Sequence, residues 1–450
     1  MKAAEPRFGT DGVRGIANVE LTPGLALRLG LAAATVLVRH GDSRHVVVGR
    51  DTRLSGQMLE SALAAGMASA GCRVSLLGVA PTPAVARAVA HVGAAAGAVV
   101  SASHNPFDDN GIKFFGPRGT KLDDAVEGDI EAALESPDDL GLPRGAEIGR
   151  IEHRPDAVEA YTRAVAATSR VALDGLRLVL DCANGATCNT APMLFRALGA
   201  EVWPIHAEPD GLNINAGCGS THPEALCREV VRVGADAGLA FDGDGDRVIL
   251  CDEAGRVVDG DRAMAICAIA MRERGELAGD RVVATIMSNA GLDIALERHG
   301  IVLDRTDVGD RYVHAEMVRT GASLGGEQSG HLLFPALTPT GDGMVTGLRV
   351  LGEMRASGRK LSELASVMRT VPQRLRNVRV RERDGWRSDP EVVGAIERSR
   401  SRVAKPEWLS VRASGTEPLV RVMAQDTEAT TVDEVVDGLC DLILQRYGAQ

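Results

Sequence analysis

Residues 45–79 read HVVVGRDTRLSGQMLESALAAGMASAGCRVSLLGV. The opening HVVVG is a short apolar run rich in β-branched residues, which suits a buried strand. A polar loop follows. Near Gln57–Ala70 the apolar residues recur at helical spacing, and near Arg73–Gly78 a second apolar run reads as a strand. A strand, a helix and another strand in this order predict a crossover unit of a parallel or mixed sheet covered by helices. The pattern continues with a helix over Ala84–Val92 and a strand over Gly97–Ser101 that ends in a loop.

The same rhythm restarts twice. Leu176–Asp181 (LRLVLD) runs into CANG, then a helix, then a strand at Glu201–Ile205. Arg281–Met287 (RVVATIM) runs into SNAG and a helix. Three α/β units of similar plan with mixed sheets are therefore expected, with ligand loops at the carboxyl ends of their strands. The tail differs. Strands are expected at Leu375–Arg381, Trp408–Arg412 and Leu419–Ala424, and helices near Pro390–Arg400 and Thr431–Tyr447, which makes a smaller α+β domain. Pro137–Arg154, rich in Pro, Gly and charge, reads as a linker. The expected domains are residues 1–150, 151–255, 256–370 and 371–450.

Composition excludes several classes. The chain has 450 residues and a net charge of -11, from 61 acidic and 50 basic residues. Nucleic-acid binding normally needs a broad positive field, and only 3% of residues are aromatic, so neither that field nor stacking platforms are expected. No apolar run approaches the roughly 20 residues that span a bilayer, so no membrane partner is expected. The start, MKAAEPRFGTDGVRG, lacks the apolar stretch of a secretory signal, and a cytoplasmic location is expected. Eight scattered cysteines form no C-x-x-C pair; reduced buried thiols are expected rather than a zinc site or a disulfide framework.

Five loops carry candidate chemistry. Phe8–Gly15 (FGTDGVRG) packs three glycines around Arg14, an anion-binding candidate, or is simply an N-terminal turn. Val99–Lys113 (VVSASHNPFDDNGIK) delivers Ser101, Ser103 and His104 to the end of a strand, where Pro106 and Asn110-Gly111 predict turns. A serine hydroxyl there can carry phosphate, with His104 and Lys113 to handle proton and charge; an ordinary N-cap and turn also fits. Only five of the basic residues are lysine, and Lys113 and Lys121 both follow this serine closely. Leu239–Leu250 (LAFDGDGDRVIL) sets Asp242, Asp244 and Asp246 at alternate positions between apolar strands. Three carboxylates so close repel one another, and oxygen ligands of this kind suit magnesium or another hard divalent ion. An EF-hand would need Gly where Arg247 stands, and an aspartyl-phosphate enzyme would use Asp242 as nucleophile but leave the Ser103 loop without a role. Ala322–His331 (ASLGGEQSGH) exposes Glu327, Ser329 and His331, groups that suit sugar hydroxyls and, for His331, acid–base work. Val411–Arg421 (VRASGTEPLVR) offers Ser414, Gly415 and Thr416 in a turn between Arg412 and Arg421, a phosphate nest or a plain hairpin tip.

All five loops, in this order, resemble the α-D-phosphohexomutase family over nearly the whole chain. The resemblance implies four domains around a central cleft. It implies that Ser103 is a phosphoserine and that Asp242, Asp244 and Asp246, with the phosphoserine oxygen, hold one magnesium ion. It implies that Glu327 and Ser329 contact sugar hydroxyls, and that Arg412, Ser414, Gly415, Thr416 and Arg421 bind the non-reacting phosphate. Arg14, Lys113 and Arg247 would line the reacting end, with His104 and His331 nearby. GRDTRLSG (49–56), DGLNINAGCGSTHP (210–223), DVGDRYV (307–313) and GGEQSGH (325–331) are similar to the branch that acts on glucosamine phosphates. Interconversion of glucosamine 6-phosphate and glucosamine 1-phosphate through a hexose 1,6-bisphosphate, on the route to UDP-N-acetylglucosamine, is therefore implied, by a monomer or homodimer. The alternatives are a mutase for mannose or glucose phosphates and a non-enzymatic sugar-phosphate sensor. Ala413, and MAQD after Arg421, depart from the family's usual phosphate loop.

Overall fold

The computed structural model describes residues 8–9, 12–39, 43–135, 142–414 and 417–449, and among them lie four sheets. The first has seven strands, in the order Phe8–Gly9, Gly12–Ile16, Asp109–Phe115, Ala96–Val100, His45–Arg50, Arg73–Val79, Ile151–His153. His45–Arg50 pairs in parallel with both of its neighbours, whereas Asp109–Phe115 runs antiparallel to its own. Alternation along the central strands decides which helices cover which face. Val46 and Val48 pack with Leu25, Leu29, Leu59 and Leu63 from helices Pro23–Arg39 and Leu54–Ser69. Val47 and Val99 pack on the other side with Val85 and Val89 of helix Thr82–Val92.

The second sheet is ordered Val257–Val258, Val248–Asp252, Ala237–Phe241, Arg177–Asp181, Glu201–Ile205, and the third Val302–Thr306, Arg281–Thr285, Gly325–Gly326, Leu332–Leu333. Both mix parallel and antiparallel pairs. The last is a three-stranded antiparallel sheet, Gln373–Arg379, Leu419–Gln425, Leu409–Ala413, covered by helices Pro390–Arg400 and Ala429–Tyr447. The expected fold class, three α/β units with mixed sheets and a smaller α+β unit, is thus observed.

One apolar core runs through the first three sheets, from Val47 and Val99 through Leu180, Leu239 and Phe241 to Val282, Ala284 and Leu324. The fourth unit has its own core around Val392, Val420, Val422 and Leu439. It meets the third through polar contacts: Asn289 donates to Val371 O at 3.0 Å and Gln373 Oε1 at 2.9 Å, and Gln425 Nε2 donates to Ser288 O at 3.2 Å. No helix among the described residues is long and apolar enough to cross a membrane.

Two expectations need correction. The proposed linker 137–154 is not wholly a connection, because Ile151–His153 pairs in parallel with Val74–Leu76 and closes the first sheet. Asn110-Gly111 is not a turn. It lies inside the strand Asp109–Phe115, where Gly111 pairs with Arg14. Glycine is needed there for close approach, since a Cβ would stand 2.7 Å from Ser101 O.

Candidate active site

Ser103 follows the buried strand Ala96–Val100, and its backbone is left-handed, with φ of 51°. Its side chain is 1% exposed. Left-handed backbone is costly for a residue with a Cβ, so the loop must be held from outside. Ser103 N donates to Ser101 Oγ at 2.9 Å, and Ser101 Oγ donates to Asp51 Oδ2 at 2.6 Å. Arg53, fully buried, donates to the carbonyls of Ser103 (3.0 Å), Asn105 (2.8 Å), Asp109 (3.0 Å) and Pro106, and is itself paired to Asp51 at 2.8 Å. Asn215, from the second unit, reaches the carbonyls of Ser103 and Asn105 at 2.8 and 2.9 Å.

The aspartate loop joins two strands paired antiparallel, with Phe241 opposite Val248. Asp242, Asp244 and Asp246 are all buried, and each has a carboxylate oxygen within 4.8 Å of the others. Ser103 Oγ donates to Asp242 Oδ2 at 2.6 Å. Thr82 Oγ1 and Lys113 Nζ donate to Asp244 Oδ2 at 2.6 and 2.7 Å, and Lys113 Nζ also lies 3.6 Å from Asp246. Burial, and then its two neighbouring carboxylates, push Asp242 well above the usual range. Burial also pushes Asp246 up, but Lys113 and His331 outweigh it and hold that carboxyl well below. Buried Asp244 Oδ1 and Asp246 Oδ1 have no hydrogen-bond partner among the described residues. Buried anionic oxygens left in this state call for a cation, and an all-oxygen set suits a hard divalent ion.

Next to this pair of loops is a cavity of about 250 Å³, lined by Arg14, Ser103, Lys113, Asp246, Arg247, Val308, Gly309, Asp310, Glu327 and His331. The third-domain loop thus enters the same space as the serine and the cations, and Glu327 Oε1 accepts from Gly309 N at 3.2 Å. His331 stands between Asp246 and Asp310, at 3.6 and 3.5 Å; burial lowers its pKa, but these carboxylates outweigh it and raise it overall. His104 Nδ1 lies 3.3 Å from Ser103 Oγ. Burial, with Arg247 and Arg14 beside it, lowers His104 to about 4, so its ring is neutral near pH 7. Ser329 does not line this cavity; its hydroxyl is buried without a hydrogen-bond partner among the described residues.

The fourth-domain candidates stand apart from the cavity. Arg412 and Arg421 are direct cross-strand partners, an arrangement that is destabilising for like charges. Burial and then Arg421 lower the pKa of Arg412, which also feels Asp307, one residue before the cavity wall. Ser414 closes the hairpin by accepting from Glu417 N at 3.4 Å. Gly415 and Thr416 lie outside the described residues.

Comparison with known sequences matches four successive domains of one description, Phosphoglucomutase/phosphomannomutase: alpha/beta/alpha domain I over residues 5–140, domain II over 159–255, domain III over 259–371 and the C-terminal domain over 375–442. The chain belongs to the phosphoglucomutase/phosphomannomutase family. It is an enzyme of the phosphohexose mutase type, an isomerase. It is similar to the phosphoglucosamine mutase of Desulforamulus reducens, 49% identical and covering 97% of this chain and 98% of that one. That of Moorella thermoacetica is 52% identical, covering 96% and 98%. Among solved structures, a phosphoglucomutase/phosphomannomutase family protein from Burkholderia thailandensis matches with a TM-score of 0.81 at 25% identity, over 97% of each chain.

Sequence reading of this family member assigned no role to four residues that brace the site: Asp51, Arg53, Thr82 and Asn215. Asp51 and Arg53 lie in GRDTRLSG and Asn215 in DGLNINAGCGSTHP, segments that carried the resemblance. The missing signal is distance along the chain. Asn215 meets Ser103 across 112 positions, and Thr82 meets Asp244 across 162.

Proposed function

We propose that this mutase interconverts glucosamine 6-phosphate and glucosamine 1-phosphate, with Ser103 as the phosphate carrier. The observation that supports this most is the Ser103 hydroxyl 2.6 Å from Asp242, beside two further buried aspartates, in a cavity walled by Arg14, Lys113 and Arg247. Relatives named phosphoglucosamine mutase, 49% and 52% identical, direct the choice of sugar.

Asp242, Asp244 and Asp246, with an oxygen of the phosphorylated serine, would hold magnesium, whose charge would offset that on the phosphoryl oxygens. Arg14 and Arg247 bind the same oxygens from the cavity side. The free hydroxyl of the bound sugar phosphate attacks phosphorus; the new O–P bond forms as the bond to Ser103 Oγ breaks. His104, neutral near pH 7 and 3.3 Å from Ser103 Oγ, takes the hydroxyl proton and passes it to the departing Ser103 oxygen, and the product is a 1,6-bisphosphate. The bisphosphate turns end for end and its other phosphoryl group returns to Ser103. Glu327 and Ser329 hold the sugar hydroxyls in both orientations. Arg412, Ser414 and Arg421, with the loop residues Gly415 and Thr416, hold the phosphate that is not reacting.

A coupled assay on several hexose phosphates tests the reading. Glucosamine 1-phosphate should exceed mannose 1-phosphate and glucose 1-phosphate in kcat/KM by roughly tenfold or more. Equal use of all three would make the chain a general hexose phosphate mutase instead.

A further inference from the structure

A second cluster of metal-ligating side chains lies away from the aspartate loop. Asp181 ends the strand Arg177–Asp181 and pairs with Ile205, the last residue of its parallel neighbour; His206 follows directly. Cys218 comes from the loop that crosses back over them. A carboxylate oxygen of Asp181, a ring nitrogen of His206 and the sulfur of Cys218 all lie within 4.8 Å of one another. Ligands bind at the carboxyl ends of parallel strands in such sheets, and both Asp181 and His206 sit at those ends.

The geometry asks for something in the middle. His206 Nδ1 is buried and only 3.1 Å from Asp181 Oδ2, a carboxylate that raises the imidazole pKa, yet the approach misses hydrogen-bond geometry. The two atoms are close without being aimed at each other. The His206 backbone is held left-handed, at φ 46°, a conformation costly for a residue with a Cβ and here used to turn the ring inward. Asp181 is fixed by two backbone donors, Ala183 N at 2.9 Å and Gly219 N at 3.0 Å, so it keeps its place with spare lone pairs. We propose that Asp181, His206 and Cys218 form a binding site for a zinc-class divalent ion. This departs from the expectation that all eight cysteines are plain buried thiols.

Carboxylate, imidazole and thiolate are the ligand types zinc takes, and at zinc bond lengths their donor atoms lie about 3.5 Å apart. The present spacing reaches that with small side-chain movements. Burial and the nearby Asp181 push the Cys218 thiol up to about 12, so the ion enters by displacing the thiol proton and taking the Nδ1 lone pair. The half-exposed face of His206 gives it access. The site ties together the two ends of segment 207–217, which carries Asn215. Its occupancy therefore stiffens the arm that holds the Ser103 loop.

Cobalt(II), which replaces zinc at such sites and reports thiolate ligation by a near-ultraviolet charge-transfer band, is the probe. The whole protein is loaded with cobalt in saturating magnesium and freed of excess metal. The native chain should show the band and retain one zinc per chain in a parallel loading. Cys218→Ser should lose both, His206→Asn should lose most of the band, and Asp244→Asn should keep it. Melting of the native protein should move up by several degrees on zinc addition, a readout independent of whether the variants fold. Absence of a band in the native chain, as expected for an Asp181–His206 pair holding no ion, overturns the proposal. So does a band of equal strength in Cys218→Ser.

Discussion

The Ser103 loop and the hairpin around Arg412 and Arg421 are built in opposite ways. Every polar group of Ser103 is engaged: its amide by Ser101, its carbonyl by Arg53 and Asn215, its hydroxyl by Asp242. That centre is braced on every side and holds carboxylate oxygens of Asp244 and Asp246 with no hydrogen-bond partner among the described residues. Arg412 and Arg421 face each other across a ladder, and neither has an ion-pair partner among the described residues. That hairpin carries too much positive charge. One region is finished by a cation and the other by an anion, which is what a reaction needing fixed chemistry at one end and a grip on a spectator phosphate at the other requires.

The largest effect should come from Ser103→Ala. Loss of the carrier is expected to lower turnover on the order of 10⁴-fold, with phosphate absent from the Ser103 peptide in mass spectrometry. Full activity in this variant, or phosphate found on an aspartate, would break the contrast at its root. Arg53→Ala comes next. It leaves the buried Asp51 carboxylate without its cation and takes a donor from four carbonyls, of which only Ser103 and Asn105 keep Asn215, and should destabilise by about 3–5 kcal/mol in denaturant unfolding. A drop under 1 kcal/mol would mean that the loop stands without its brace.

The two regions should then separate kinetically. Asp244→Asn is expected to lower kcat by roughly a hundredfold and raise the magnesium requirement, while KM moves little. Arg421→Ala removes one charge-assisted contact of about 1.5–3 kcal/mol. It should raise KM roughly ten- to a hundredfold and lower kcat less, because the spectator phosphate binds alike in ground and transition states. If both variants changed kcat and KM in the same ratio, the division of labour would not hold.

The smallest effect concerns the polar seam to the fourth unit. Asp261 accepts from Asn289 N at 2.7 Å, and burial pushes its pKa up to about 7. A raised carboxyl favours the folded state when protonated. Its contribution is full below the ordinary carboxylate range and is lost as pH rises through about 7. Asp261→Asn should therefore flatten the stability profile across that window by on the order of 1 kcal/mol or more, read by urea melts at several pH values. An unchanged slope would assign the pH dependence elsewhere.

Local signals were the readable part of this chain. Glu201–Ile205 and Pro390–Arg400 form with the same bounds that their patterns predict, because apolar spacing and a Pro at the helix start act within a few residues. The phosphohexomutase resemblance likewise rested on contiguous loops. What was not legible depends on pairing between distant segments. Asn110-Gly111 carries a turn signal, yet pairing with Gly12–Ile16 draws it into a strand. Ile151–His153, exposed at all three residues and polar at two, carries no strand signal and is placed by its neighbour at Val74–Leu76. Arg53 reads as an ordinary surface arginine until the fold buries it among carbonyls.

The left-handed backbone at Ser103 restricts which residue can inherit its task. Threonine offers a hydroxyl of the same chemical kind, but its β-branch is stiff and fits poorly at positive φ. Cysteine and alanine fit the backbone better and supply no hydroxyl. Serine is thus isolated among its neighbours in substitution space: the residues nearest in reactivity fail on shape, and those nearest in shape fail on reactivity. A lineage carrying this loop has no gradual route to another carrier.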